Sequence, residues 1–80
     1  MLTADQTAVL RHLVEMEPVA HNAKDVSRHL GMDVATAVLG LRELRRLGYA
    51  RYGEESMGEG PEVAEHVPTE AGKTYLARNP

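Results

Sequence analysis

The sequence predicts a mainly α-helical domain with a small β-hairpin, in the order helix, helix, helix, hairpin, helix. Helical patterns occupy the chain up to about residue 47, and two short β-favouring segments around a Gly-rich stretch follow them. The chain has 80 residues, of which 42% are hydrophobic, so we expect one domain over residues 1–80. Because there is no Cys for disulfides or thiolate metal sites, efficient helix packing or a partner subunit has to stabilise so small a core.

The first helix is predicted over residues 3–17. Thr3 and Gln6 stand at the spacing of a capping box, in which each side chain satisfies a free backbone amide at the start of a helix. Pro18 ends the helix, because the residue before a proline is pushed out of the helical region. The apolar residues that recur at helical spacing between these ends are Val9, Leu10, Leu13 and Val14.

Two further helices are predicted over residues 22–30 and 33–47, with Asn22 and Asp33 as their N-caps. Gly31 follows the end of the earlier helix, where a left-handed residue commonly ends helices. The connecting turn is therefore only about two residues long, which is typical of a helix-turn-helix. The side chains predicted to face the core are Ala23, Val26, Leu30, Ala37, Leu41 and Leu44.

Helical periodicity ends at Gly48, and a β-hairpin is predicted beyond it. Short strands are indicated by Tyr at both ends of the first segment and by Val63, Glu65 and Val67 at spacing two in the second. The predicted elements are a strand at 49–52, a turn or loop at 53–61, a strand at 62–67 and a last helix at 69–78, capped by Thr69. We call the hairpin over about 49–67 the wing, since this order of elements is that of a winged helix-turn-helix.

Three segments carry a resemblance to a known superfamily. Residues 25–33 (DVSRHLGMD) resemble the second-helix signature of winged-helix transcription regulators, and residues 41–51 (LRELRRLGYAR) resemble the end of their recognition helix and the first wing strand. Residues 67–73 (VPTEAGK) resemble the step from the wing into the last helix. The chain is thus similar to MarR- and PadR-type regulators in a minimal single-domain form. The resemblance implies double-stranded DNA as the partner, a role in transcription regulation, and the third helix as the recognition helix.

The outer face of the third helix carries the residues expected to contact DNA. In a helix-turn-helix this helix lies in the major groove, where Arg reads guanine and apolar groups contact thymine methyls. The predicted base contacts are Thr36, Leu39, Arg42 and Arg46. The predicted phosphate contacts are Lys24, Arg28, Arg45 and Arg51. A second interpretation is that the Arg residues near the helix end form a solvated surface that complements the helix dipole.

The charge distribution favours one half of the domain for DNA contact. Residues 20–52 hold six basic and three acidic residues, whereas residues 53–66 hold five Glu and no Lys or Arg. Phosphate contact needs the basic half, and the acidic wing opposes it. The alternative function is therefore a protein-interaction module without DNA binding, which would use Leu39 and the wing residues Glu54, Glu55 and Glu59.

No catalytic or metal-binding pattern is evident in the sequence. The four His, at positions 12, 21, 29 and 66, show no established ligand spacing, and the sequence indicates neither a metal nor another cofactor. Ser27 and Ser56 lack a pattern that would orient a base, so we do not expect an enzyme. No apolar run approaches the roughly 18 residues of a membrane span, and we expect a cytoplasmic protein without membrane contact.

The apolar band of the first helix is broader than one inner stripe requires. Its members are Leu2, Leu10, Leu13, Val14 and Met16. One interpretation is packing against the last helix through Tyr75 and Leu76. The other is a homodimer interface formed by the first and last helices, since two-fold dimers commonly read two half-sites on DNA.

Overall fold

The computed structural model describes residues 1–56 and 60–79. The elements in chain order are α1 (Ala4–Met16), α2 (Ala23–Leu30), α3 (Val34–Arg46), β1 (Ala50–Tyr52), β2 (His66–Pro68) and α4 (Glu70–Arg78). This is the predicted order, and each helix lies inside the range that the sequence predicts for it. In the part of the chain that the structure describes, no helix combines the length and the apolar character that crossing a bilayer requires.

Capping residues set where the first two helices begin. Thr3 Oγ1 accepts a hydrogen bond from the Gln6 amide at 3.1 Å, and Gln6 Oε1 accepts one from the Thr3 amide at 3.0 Å. Asn22 and Asp25 form the same reciprocal arrangement at the start of α2. The expectation that the Asp33 side chain caps α3 is wrong. Asp33 stands at the N-cap position but accepts no hydrogen bond there, and because it is exposed, water can satisfy the free amides.

The three helices α1, α2 and α3 enclose the core. The residues of α2 and α3 that the sequence places inside are fully buried, except for Leu30, which packs half-buried at the edge. The largest fully buried apolar side chains are Leu10, Leu13, Leu41, Leu44, Val9 and Val26. Gly40 lies on the buried side of α3 against α1, where a Cβ would meet Val9 Cγ2 at an ordinary contact distance of 3.4 Å. The core holds α3 in place and leaves its opposite face to solvent.

The wing is a two-stranded antiparallel sheet in which Arg51 pairs with Val67. Its second strand begins at His66, later than the predicted 62–67. The amides of Val63 and Ala64 both donate to the Gly60 carbonyl, at 3.1 and 3.0 Å. These bonds close a turn in a segment where the spacing of residues in the sequence predicted a strand. Residues 57–59 of the predicted loop, including Glu59, lie outside the described residues.

Helix α4 packs against α1 within the same chain. Leu2 is buried, and its amide donates to the Tyr75 hydroxyl at 3.2 Å. Tyr75 and Leu76 are half-buried against the core that contains Leu10 and Leu13. Intramolecular packing, the first of the two interpretations of the apolar band, therefore accounts for the burial of its main residues.

Candidate DNA-binding surface

The turn between α2 and α3 is fixed by hydrogen bonds around Ser27. The amides of Gly31 and Met32 both donate to the Ser27 carbonyl, at 2.9 and 3.3 Å. The Ser27 hydroxyl donates back to the Met32 carbonyl. Gly31 has φ of 69°, a left-handed conformation that costs Gly little. These contacts fix the direction in which α3 leaves α2.

Helix α3 has one buried and one solvent-facing side. Its buried residues are Ala37, Gly40, Leu41 and Leu44. Ala35, Leu39, Arg42 and Arg46 are exposed, whereas Thr36 and Glu43 are half-buried. Leu39 is a large apolar side chain, and 62% of its surface is exposed to water. The outer face thus combines apolar contact groups with guanidinium groups.

Arg46 and Glu43 form a bidentate ion pair on this face. Nε and one Nη of Arg46 donate to the two carboxylate oxygens of Glu43, each at 2.7 Å. The hydrogen bonds from Arg46 lower the pKa of the Glu43 carboxyl, and those to Glu43 raise the pKa of Arg46. Nε and one Nη of Arg46 are therefore already bonded, and the negative charge of Glu43 offsets the positive charge of Arg46.

Arg42 is the guanidinium with the greatest freedom on α3. It is exposed and makes no hydrogen bond or ion pair with any other residue in the described ranges 1–56 and 60–79. With Gln6 of α1 and with Leu39, Glu43 and Arg46, it lines a concave surface. Its five N–H donors are available to an acceptor that enters this concavity.

The basic residues outside α3 differ in the hydrogen bonds and ion pairs that they already make. Lys24 and Arg51 are exposed, and one Nη of Arg51 donates to the Tyr52 carbonyl at 3.3 Å. Arg28 is exposed and pairs with Asp25 at 2.7 Å. Exposed pairs of this kind contribute little to stability, so Arg28 can exchange Asp25 for another anion at small cost.

Arg45 is engaged inside the protein. It is half-buried, its Nη1 donates to His66 Nε2 at 2.6 Å, and its guanidinium stacks 4.5 Å from the Tyr52 ring centroid. Sequence reasoning placed Arg45 among the phosphate contacts and assigned no partner to His66. Residues 21 positions apart in sequence meet here because β2 lies beside the end of α3, and no local pattern signals such a contact.

His66 is a neutral buried imidazole. Because Nε2 accepts from Arg45, the ring proton is on Nδ1, which donates to the Ala64 carbonyl at 3.0 Å. Burial, together with the positive charge of Arg45, lowers the pKa of His66 to about 4. This contact joins the C-terminal end of α3 to the wing.

The described part of the wing is acidic next to Arg51. Glu54 and Glu55 are exposed, and with Glu65 they share a concave surface with Arg51 and Pro18. The carboxylates of this surface therefore oppose the approach of a phosphate to Arg51.

Three His converge on the other side of the helix-turn-helix, between α1 and α2. One ring nitrogen from each of His12, His21 and His29 lies within 4.8 Å of the other two. The sequence did not indicate this cluster, since its members come from a helix, a connecting segment and a second helix. Rules based on sequence spacing detect metal ligands that lie on one helix or strand. They miss ligands that come from different elements and meet only in the folded chain.

Comparison with known proteins gives matches among solved structures only. No protein-family model and no curated protein matches the chain. NMB1585, a MarR family regulator from Neisseria meningitidis, shares 20% identity with a TM-score of 0.76, over 98% of this chain and 52% of its own. The MarR of Staphylococcus aureus, in complex with salicylate and kanamycin, shares 16% identity with a TM-score of 0.80, over 95% of this chain and 48% of its own. BpsR of Bordetella bronchiseptica shares 21% identity with a TM-score of 0.79, over 96% of this chain and 52% of its own.

The fold is a winged helix. It is the fold of the MarR family regulators, although the chain spans about half the length of these solved relatives. Within a winged helix, α2 and α3 are the helix-turn-helix and the hairpin of β1 and β2 is the wing. The exposed face that carries Arg42 is thus the outer face of the second helix of this helix-turn-helix.

Proposed function

We propose that the chain is the DNA-binding unit of a transcriptional regulator, with α3 entering the major groove. The observation that carries the proposal is the solvent-facing side of α3, on which Arg42 is exposed and has no bonded partner among the described residues. The structural likeness supports it, because the solved relatives are MarR family regulators and the DNA binding of BpsR is regulated by 6-hydroxynicotinic acid. No catalytic residue or cofactor is part of this proposal.

The proposed contacts divide into base contacts and phosphate contacts. The base contacts are Thr36, Leu39, Arg42 and Arg46, all on α3. The phosphate contacts are Lys24, Arg28, Arg45 and Arg51. Arg28 and Arg46 are themselves exposed, and each would exchange a half-buried carboxylate partner for DNA. Arg45 would have to use the N–H groups left free by His66, so its contribution is expected to be the smallest of the four.

Arg42→Ala is expected to weaken specific DNA binding by about 1–3 kcal/mol and to relax the sequence preference. The reason is that an Arg without an internal partner can donate two hydrogen bonds to guanine O6 and N7. Fluorescence anisotropy with a selected operator and with a scrambled duplex measures both effects.

Arg42→Lys is the matched control for this variant. It keeps the positive charge and loses the planar pair of donors, so it should retain binding to the scrambled duplex and lose the preference for the operator. Equal weakening on all sequences in Arg42→Ala, with full recovery in Arg42→Lys, would show that Arg42 contacts phosphate only.

Replacing Glu54 and Glu55 by Lys is expected to leave DNA affinity unchanged or to raise it. Both carboxylates are exposed next to Arg51, so their removal lowers the repulsion between the wing and phosphate. Anisotropy at low and moderate salt measures the change. A loss of DNA affinity would contradict this account, and loss of a captured protein partner would favour the protein-interaction function that uses Leu39 and the wing.

We further propose that the chain acts as a homodimer through α1 and α4, in the cytoplasm. Half-buried Val14, Tyr75 and Leu76 leave apolar surface on these two helices beyond what the core covers. A two-fold dimer would present two copies of α3 to two half-sites. Light scattering at the concentrations used for DNA binding measures the mass, and a monomeric mass in the DNA-bound state would contradict the dimer.

A further inference from the structure

We propose that His12, His21 and His29 form a binding site for a Zn²⁺ ion between α1 and α2. Three parts of the chain converge at this point. His12 comes from the buried side of α1 and is 4% exposed, His21 precedes α2, and exposed His29 lies near the C-terminal end of α2. The distances between ring centroids are 4.9, 5.0 and 5.7 Å.

Local structure fixes the backbone of His21 and orients the ring of His29. The amide of His21 donates to the His66 carbonyl at 3.0 Å and its carbonyl accepts from the His66 amide at 2.8 Å, so the backbone of His21 is pinned to β2. Nδ1 of His29 lies 2.9 Å from the Asp25 carbonyl oxygen. A carbonyl only accepts, so Nδ1 carries the proton and Nε2 keeps a free lone pair. Metal-binding His side chains are commonly oriented by such a bond to a backbone carbonyl.

The protonation state of the cluster also suits a metal. His12 Nε2 lies 3.0 Å from His21 Nδ1, a contact in which one nitrogen donates its proton to the lone pair of the other. A metal ion between them would take both lone pairs, with the protons on His12 Nδ1 and His21 Nε2.

The separation of the nitrogens is close to that of a tetrahedral site. Zn–N bonds of about 2.0–2.1 Å place two ligand nitrogens about 3.4 Å apart. The largest separation in the cluster, 4.8 Å, has to shrink by somewhat more than one ångström. Exposed His29 can supply most of this movement by side-chain rotation, which lengthens its bond to the Asp25 carbonyl, while the backbones of His12 and His21 stay in place and their ring nitrogens separate slightly from 3.0 Å.

The donor set selects the class of ion. Three imidazoles without a thiolate suit Zn²⁺ and other borderline divalent transition ions, whereas Mg²⁺ and Ca²⁺ prefer oxygen ligands. Three protein ligands leave a fourth position for water.

The test is a titration of the full chain, freed of metal by a chelator, with Zn²⁺ in competition with a metal-sensitive dye. One equivalent of Zn²⁺ is expected to bind with a micromolar or lower Kd. His29→Gln is the informative variant, since His29 is exposed and its replacement leaves the core intact. It should weaken binding by at least about 100-fold, because it removes a direct ligand where second-shell changes alone cost 10–100-fold. Arg11→Gln, on the exposed side of α1 beside His12, is the matched control and should bind as the unaltered chain does.

A second readout locates the ion. Imidazole NMR signals of His12, His21 and His29 are expected to shift on addition of one equivalent of Zn²⁺, while those of His66, bonded to Arg45, should shift far less. Absence of Zn²⁺ binding at micromolar concentrations would overturn the proposal, as would affinity unchanged in His29→Gln. Neither outcome bears on DNA binding, which is measured separately with the chelator present.

Discussion

Gly72→Ala is expected to destabilise the domain by about 3 kcal/mol, at the upper end of the usual cost of overpacking a core. A Cβ at Gly72 would overlap the carbonyl oxygen of Tyr49 and stand 3.1 Å from Leu10 Cδ1. The Tyr49 carbonyl cannot turn away freely, because it accepts a hydrogen bond from the Thr69 amide at 3.1 Å. Helix α4 would have to move away from the junction between α3 and β1.

The size of this effect is large for so small a domain, whose total stability is expected to be about 4–12 kcal/mol at ~0.05–0.15 kcal/mol per residue. Urea denaturation followed by circular dichroism measures the change. Gly40→Ala is the matched control, since Gly40 is also buried on a helix but its Cβ would meet Val9 Cγ2 at an ordinary contact distance of 3.4 Å. This control should be neutral or stabilising by up to about 1 kcal/mol, the helix propensity of Ala over Gly. Similar losses in both variants would contradict the packing described between α4 and the α3–β1 junction.

Stability is expected to fall by roughly 3 kcal/mol between pH 6.5 and pH 4 through His66 alone, at about 1.36 kcal/mol per pKa unit. The imidazole is 1% exposed and faces the Arg45 guanidinium, and these two features hold its pKa at about 4 in the folded state, against the ordinary 6.5 in the unfolded chain. Between these values the unfolded state binds more protons, so stability rises with pH. The contribution of neutral His66 to the free energy of unfolding is fully present above pH 6.5 and is lost as the pH falls to 4.

Urea denaturation at several pH values, with a chelator present, measures the slope. His66→Gln should flatten the slope across this window, although its stability at pH 7 will itself be lower because Gln fills the site differently. The lowered pKa of His12 adds a slope of the same sign that this variant retains. An NMR titration reads the pKa of His66 directly in the folded protein, and a value near 6.5 would contradict the buried, Arg45-bonded state.

The helices were predictable because their signals are local. The capping box of Thr3 and Gln6, the N-cap Asn22 and the left-handed Gly31 all act within one turn of the helix that they begin or end. The spacing of apolar residues then places Ala37, Leu41 and Leu44 inside, and it leaves Arg42 outside. The face proposed to contact DNA follows from the same periodicity.

Contacts between distant parts of the chain were not predictable from such signals. Val63 and Val67 alternate as in a strand, yet the bonds to the Gly60 carbonyl turn the chain before His66. The bond between Arg45 and His66 depends on how α3 and β2 are placed in space, and the His cluster depends on how α1 and α2 are placed. Sequence patterns place each of these residues on an element and do not show which elements meet.

The central claim, DNA binding by α3, is tested most directly by fluorescence anisotropy of the full chain with a mixed pool of genomic DNA fragments at two salt concentrations. The account predicts binding at micromolar protein or below that weakens steeply as salt increases, because contacts to phosphate release counterions. Arg42→Ala in the same assay should weaken it. No binding even at low salt would contradict the claim.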